Sequence, residues 1–303
     1  MIRRTGAPAP RAYAYTRYKT PGKIKTALYY FACRAARHNY PRKRRRLPRN
    51  ICACRFLLAR KSRFRYNRDM KVFAISDLHL SGGVADKPMD VFGTGWQGYM
   101  EKIEADWRQK VSIFDVVLLA GDLSWGMNMR QAAPDIARVA ALPGKKVIIR
   151  GNHDYWWSSL AKVRAALGEN FYAVQNDCLR LGKLLVCGSR LWQFSAEEED
   201  VKILEREKIR LQLSLDKMCA MRRDGDKTVV MCHYPPFNVR FDDSEYTRLI
   251  AAAGADAVVY GHLHGKGVRA ERVVRKNGIP YFLTSCDLTD NSLTEILALP
   301  DEE

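Results

Sequence analysis

Six short runs of this chain are apolar and β-branched almost without interruption, at residues 72–76, 116–120, 147–150, 184–188, 228–232 and 257–260. A strand with one wet face alternates apolar and polar residues, whereas a strand covered on both faces does not. The runs therefore predict sheet strands with packing on both sides. Between them, residues 96–111, 130–142, 157–167, 196–221 and 243–253 carry helical spacing. In the longest of these helices Val201, Leu204, Ile209, Leu211, Leu215 and Met218 are expected near one broad apolar face, with Glu205, Arg206 and Lys208 in its solvated remainder. Residues 268–275 and 279–285 flank Asn277-Gly278, a hairpin turn signal. An α/β sandwich of one domain follows, with no internal repeat.

With 303 residues, 47% of them hydrophobic, the chain can bury a sizeable core, which excludes a disordered protein. No run approaches the roughly 18 consecutive apolar residues of a membrane helix, so a membrane-spanning reading is excluded. The net charge of +18 is unevenly placed. Residues 1–69 hold 21 Lys and Arg against one acid, Asp69, and the remainder holds 30 basic and 32 acidic residues. This basic extension includes the run RKRRR at 42–46 and shows no sustained period of either 3.6 or 2. It has three readings: a basic arm for nucleic acid, an organelle-targeting segment, or upstream sequence translated from a misplaced start. Met70 opens MKVFAISDLHL, which reads as the natural start of a protein whose first residues are a buried strand, so the folded domain is expected over 70–303 and none within 1–69. The eight cysteines are irregularly spaced, which suits core thiols in a reducing, cytoplasmic setting. Cys52 and Cys54 have no second pair at ligand spacing and are taken as incidental.

Apart from His38 in the extension, every histidine falls just after a predicted strand: His79 in SDLHLS, His153 in GNHDYWW, His233 in CHYPP, His262 and His264 in GHLHG. Asp77, Asp122 in GDLSWG and Asn152 occupy equivalent places. In an α/β sheet the C-terminal strand ends share one edge, where such folds build their sites, so these residues are expected in one cluster. Imidazole together with carboxylate oxygen suits Mn, Fe, Zn or Co rather than the all-oxygen shells of Mg or Ca. Gly121, Gly151 and Gly261 are expected to let the backbone turn sharply off the strand ends.

The ordered set D-x-H, G-D, G-N-H-D, H and G-H-x-H, at Asp77/His79, Asp122, Asn152/His153/Asp154, His233 and His262/His264, resembles the signature of the calcineurin-like metallophosphoesterase superfamily over residues 71 to about 290. The GDLSWG, RGNHDYWW, HYPPF and YGHLHG blocks are most similar to a bacterial subgroup described as phosphohydrolases. The resemblance implies a two-sheet α/β sandwich flanked by helices, with residues 70–303 as the catalytic domain. It implies two divalent ions, Mn favoured: Asp77, His79 and His264 on one, Asn152, His233 and His262 on the other, and Asp122 bridging. A metal-activated water would attack a small phosphomonoester or phosphodiester. His153 would then serve the leaving oxygen, with Asp154 as a carboxylate that orients an imidazole. Arg150 matches an arginine that phosphoprotein phosphatases of the superfamily use on substrate phosphate; read alone, it is equally a strand-end arginine pairing with a surface acid. Trp125 stands where many relatives carry an acid or Arg, so that substrate contact is not expected here.

Trp125, Tyr155, Trp156, Trp157 and Trp192 fall within or near the site loops, either as stacking platforms for a nucleobase or, for Trp156 and Trp157, as core anchors of the next helix. Tyr234-Pro235-Pro236-Phe237 is expected to stiffen the loop after His233. The alternative activity is a nuclease or nucleic-acid phosphodiesterase helped by the 1–69 arm, with nucleic acid otherwise entering only as substrate. A phosphoprotein phosphatase has only Arg150 in its favour. A catalytically silent scaffold of the same fold would have lost ligands, and none is missing from the pattern. The sequence leaves oligomeric state open.

Overall fold

The computed structural model describes residues 69–84, 86–194, 197–265 and 267–300; the basic segment, with Cys52, Cys54 and His38, lies outside the described residues except for Asp69. The strands are β1 Met70–Ile75, β2 Val116–Leu119, β3 Lys145–Ile148, β4 Phe171–Ala173, β5 Cys178–Leu181, β6 Leu184–Ser189, β7 Lys227–Cys232, β8 Ala257–Tyr260, β9 Val273–Lys276, β10 Ile279–Leu283 and β11 Thr294–Leu299. The α-helices are α1 Tyr99–Lys110, α2 Met129–Ala140, α3 Leu160–Leu167, α4 Glu198–Met221 and α5 Glu245–Ala252. One sheet has the order β11-β1-β2-β3-β4 and the other β5-β6-β7-β8-β10-β9. Strands β1 to β4 are parallel in the first, β6, β7, β8 and β10 in the second, and β11, β5 and β9 run antiparallel at their edges.

Alternate residues of the same strands belong to different cores, which explains why the runs show no polar alternation. Val72, Val116, Leu118 and Val147 face Leu184, Val186, Val229 and Val259 in the layer between the sheets. Their neighbours Phe73, Ile75, Leu119 and Ile148 pack outward on Ile103 and Trp107 of α1, Ile136 of α2 and Val163 of α3. On the far side Leu185, Val230, Val258 and Tyr260 meet Leu211, Leu215 and Met218 of α4 and Ile250 of α5. Each such side chain contributes about 1.5–3 kcal/mol of burial. The result is the expected two-sheet α/β sandwich flanked by helices.

The face expected on α4 is only partly correct: Leu211, Leu215 and Met218 are buried, but Val201 and Ile209 are 43% and 60% exposed. Glu207 is buried instead, because Ser189 Oγ donates to it at 2.8 Å and Arg210 Nη1 at 2.7 Å. At the C-terminal strand ends the sheets are laced together. Ser76 N donates to Thr284 O at 2.8 Å and Cys286 N to Ser76 O at 3.1 Å, so the end of β1 is joined to the chain leaving β10. Among the described residues no helix is long and apolar enough to cross a membrane.

Candidate metal centre

The edge where β1, β2, β3, β7 and β8 end collects Asp77, His79, Asp122, Asn152, His233, His262 and His264. The backbone there is unusual. Asp77, His79, Asp122 and His262 all have left-handed φ, at 61°, 46°, 55° and 69°. Such non-glycine residues cost of order 1 kcal/mol each and persist where surrounding contacts over-determine them. Here those contacts include Asp77 N to Gly121 O at 3.0 Å and His79 N to Asp122 O at 3.0 Å, which splice the β1 loop to the β2 loop. Of the three glycines expected to turn the chain, only Gly121 uses a left-handed φ, 96°. Gly151 and Gly261 are needed for room: a Cβ would lie 2.0 Å from Asp122 Oδ1 at the first and 2.3 Å from Asp77 Oδ2 at the second.

Ligand atoms of Asp77, His79 and His264 lie within 4.8 Å of one another, and so do those of Asp77, Asp122 and His233. His264 Nε2 is 3.3 Å from His79 Nε2 and 3.3 Å from Asp77 Oδ1. Asp122 Oδ2 stands between the halves, 3.7 Å from His79 Nε2 and 3.4 Å from His233 Nε2. Asn152 Oδ1 is 2.6 Å from His233 Nε2 and 3.0 Å from His262 Nδ1. Thus the structure brings all seven together.

The donor set fits a cation. His233 Nδ1 faces the Ala120 carbonyl at 2.9 Å, and His264 Nδ1 faces Asp287 Oδ1 at 2.9 Å. A carbonyl or carboxylate only accepts, so each neutral ring keeps its proton on Nδ1 and turns the Nε2 lone pair toward the centre. Lone pairs of His233 and Asn152 then meet at 2.6 Å, a contact that a proton, a metal ion or a rotated Asn152 amide reconciles. The buried carboxylates demand the same positive charge. Burial would raise the pKa of Asp77 and of Asp122, yet the nearby imidazoles, His264 first for Asp77 and His233 for Asp122, hold both below the ordinary range. Burial would likewise depress His233 and His264. Asp122 nevertheless carries His233 up to about 9, and Asp287 with Asp77 carries His264 up to about 10. Burial takes His79 and His262 down to about 4.

His153 sits apart from these ligand groups. Its ring is half-exposed, 5.5 Å from that of His79 and 4.6 Å from that of Trp125, while its backbone N donates to Asp122 Oδ1 at 2.8 Å. The position expected of Asp154 needs correction, because it makes no hydrogen bond to an imidazole. Its fully buried carboxylate accepts from Asp122 N and Leu123 N at 2.9 Å, Gly151 N at 2.8 Å and the Trp156 indole at 2.8 Å. It ties the β2 loop to the β3 loop, and burial followed by the charge of Asp122 pushes it up to about 6. The carboxylate that does orient an imidazole is Asp287. Sequence reasoning missed it, although it follows β10 as the other residues follow their strands.

Arg150 does not pair with a surface acid, the reading open to a strand-end arginine. No side-chain ion pair or hydrogen bond holds it among the described residues; it lines a cavity with Arg190, Arg206 and Arg210. Trp156 and Trp157 are core anchors, 2% and 4% exposed, and Trp192 lies against Tyr234 and Arg190. Of the aromatic set, Trp125 and Tyr155 stay beside the centre: Trp125 stacks on His79 at 4.7 Å and Tyr155 lies 6.1 Å from His153.

The profile of the calcineurin-like phosphoesterase family matches residues 70–266, which spans every strand-end residue above except Asp287. The chain belongs to the calcineurin-like phosphoesterase family. It is accordingly a metal-dependent phosphoesterase, a hydrolase of ester bonds. Among solved structures, this phosphoesterase is similar to a Thermus thermophilus protein at 15% identity and TM-score 0.49, covering 75% of this chain and 98% of that one. A calcineurin-like phosphoesterase from Bacillus subtilis is similar at 15% identity and TM-score 0.42, with 77% and 90% covered. A purple acid phosphatase from yellow lupin (Lupinus luteus) seeds is similar at 12% identity and TM-score 0.41, with 78% and 47% covered. No curated protein sequence matches this one.

Proposed function

We propose that this phosphoesterase is a dinuclear-metal phosphohydrolase that cleaves a small phosphomonoester or phosphodiester, with residues 70–303 as its catalytic domain. The observation that carries this reading is the placement of Asp122 Oδ2 between His79 on one side and His233 on the other, with two ligand groups sharing Asp77. Asp77, His79 and His264 would hold one ion, Asn152, His233 and His262 the other, and Asp122 both. Divalent ions bound there, Mn first among Mn, Fe, Zn and Co, would supply Lewis-acid neutralisation of phosphoryl charge.

The chain's own residues do the rest. Asp287 fixes the ring of His264, and the Ala120 carbonyl fixes that of His233, so that the lone pairs need no reorientation. Trp125 packs on one face of His79 and keeps water off it. His153, half-exposed at the mouth, is placed to hold the proton that the leaving oxygen receives. Free buried thiols at Cys187, Cys232 and Cys286 suit the reducing cytoplasm in which we place the enzyme.

Metal content and turnover of a chromogenic phosphomonoester and its matching diester test the assignment. Asp122→Asn and His233→Ala are expected to lose metal and activity together. His153→Ala is expected to keep its metal and lose about 100-fold or more in rate. Activity that survives all three substitutions would refute the reading.

A further inference from the structure

At the C-terminal ends of β3, β4 and β6 lies a cavity of about 210 Å³. Its charged lining consists of Arg150 at the end of β3, Arg190 after β6, and Arg206, Glu207 and Arg210 on α4. Four guanidiniums against one carboxylate leave three uncompensated positive charges. Glu207 is already committed: Arg210 Nη1 reaches it at 2.7 Å, Ser189 Oγ at 2.8 Å and Arg190 Nη2 at 3.4 Å. Arg206 approaches it only to 3.9 Å. Arg150 Nε and Arg190 Nε are buried donors with no hydrogen-bond partner. An unpaired buried donor costs about 1–3 kcal/mol, so these positions favour an acceptor that the chain itself does not supply.

The electrostatics agree. Burial holds the Arg190 guanidinium below its ordinary pKa; Glu207 opposes this, and Arg150 and Arg206 add to it. Two of its arginines are joined by the backbone to the metal-centre loops. Arg150 stands two residues before Asn152, and the Arg190 carbonyl accepts from His233 N at 3.2 Å and Tyr234 N at 2.9 Å. Planar guanidiniums lining one cavity, each with several N–H groups, match the oxygens of a phosphoryl group, with bidentate contacts that an ammonium would not give.

We propose that this arginine cavity is an anion subsite for a phosphoryl group other than the one hydrolysed, contributed either by the substrate itself or by a free phosphate-type anion. The first source makes the substrate a bisphosphate or diphosphate compound and rests on the phosphohydrolase reading; the second does not.

Pyrophosphate is titrated calorimetrically into the full chain, stripped of metal, at fixed ionic strength. The wild type is expected to show a saturable site that Arg206→Gln and Arg150→Gln each weaken at least tenfold. Arg248→Gln, which removes an equal charge from the exposed surface of α5, is expected to leave it unchanged. The Arg206 side chain is 53% exposed, so its replacement leaves the fold intact, and Arg206→Lys is expected to recover part of the binding. With manganese loaded, KM is then compared for a nucleoside bisphosphate and the matching monophosphate. A tenfold rise in KM for the bisphosphate alone in Arg206→Gln assigns the subsite to the substrate, and equal behaviour of the two assigns it to a free anion. Pyrophosphate binding unchanged in both Arg206→Gln and Arg150→Gln would overturn the proposal. Absence of turnover in every protein would count against the phosphohydrolase reading while the calorimetry still decides the subsite.

Discussion

Gly151→Ala tests whether the centre depends on the close approach of two backbones. The added methyl would lie 2.0 Å from Asp122 Oδ1 and 2.3 Å from the Asp122 amide nitrogen, where 3.0 Å is the practical minimum. The β2 and β3 loops must therefore separate by about 1 Å, against the His153 N to Asp122 Oδ1 bond of 2.8 Å and the Asp122 N to Asp154 Oδ2 bond of 2.9 Å that hold them together. Overpacking costs about 1–3 kcal/mol, and weakening one of those bonds adds about 1 kcal/mol. For a domain of this size the sum lowers Tm by about 4–16 °C and leaves the protein folded at 25 °C. The same displacement moves Asn152 and Asp122 apart, and a misplacement of about 1 Å in a catalytic constellation costs about 100-fold in rate. Metal content by mass spectrometry, kcat/KM and a thermal melt read the three effects together. Gly168→Ala serves as the comparison, because its φ of 76° is strained but nothing lies within 4 Å of the new methyl. It is expected to lose about 1 kcal/mol and no metal. A Gly151→Ala protein with full metal content and a rate within threefold of the wild type would refute the reasoning.

Asp154→Ala is expected to lower stability by about 3–5 kcal/mol in chemical denaturation, since it strands the buried donors of Asp122, Leu123, Gly151 and Trp156 together. Asp287→Ala frees the ring of His264 and is expected to weaken metal affinity about 10–100-fold, measured by competition with a chelating dye, with little change in Tm. Lys146 is buried, and that burial takes its pKa from 10.5 down to about 8. The unfolded chain then binds the extra proton between those values, so stability is expected to rise from pH 8 toward 10.5 by up to about 3 kcal/mol. The rise is to be measured as the urea midpoint against pH and should be absent in Lys146→Met.

The strands that could be read from the sequence are those with a core on each side. β1, β2, β3, β6, β7 and β8 are continuous apolar runs because alternate residues enter different cores. β4 has three residues, and β5 and β11 are edge strands with half-buried faces, so none produces such a run. On α4 the apolar spacing misplaced Val201 and Ile209, because burial there also admits a charge that finds partners, as Glu207 does. The seven strand-end residues were legible because topology alone sends them to one edge. The partners of Asp154 were not, since a short Gly-Asn-His-Asp motif carries no sign of whether its last carboxylate turns toward imidazole or backbone. The arginine cavity was equally hidden: Arg190, Arg206 and Arg210 belong to no motif, and they meet Arg150 only through the packing of α4 beside β6.

The lacing of the two sheets has a bearing on how the molecule forms. Ser285 Oγ donates to Asp77 Oδ2 across 208 positions of sequence, and His262 N donates to the same oxygen across 185. Contacts of such high sequence separation are closed late, because their loop entropy is lost before their bonds are gained. The first four strands can assemble around α1, α2 and α3 while the centre is still missing half its donors. Competence to take up metal then arises only as the last part of the chain docks, which makes metal uptake during refolding a clock for the final step rather than for the initial collapse.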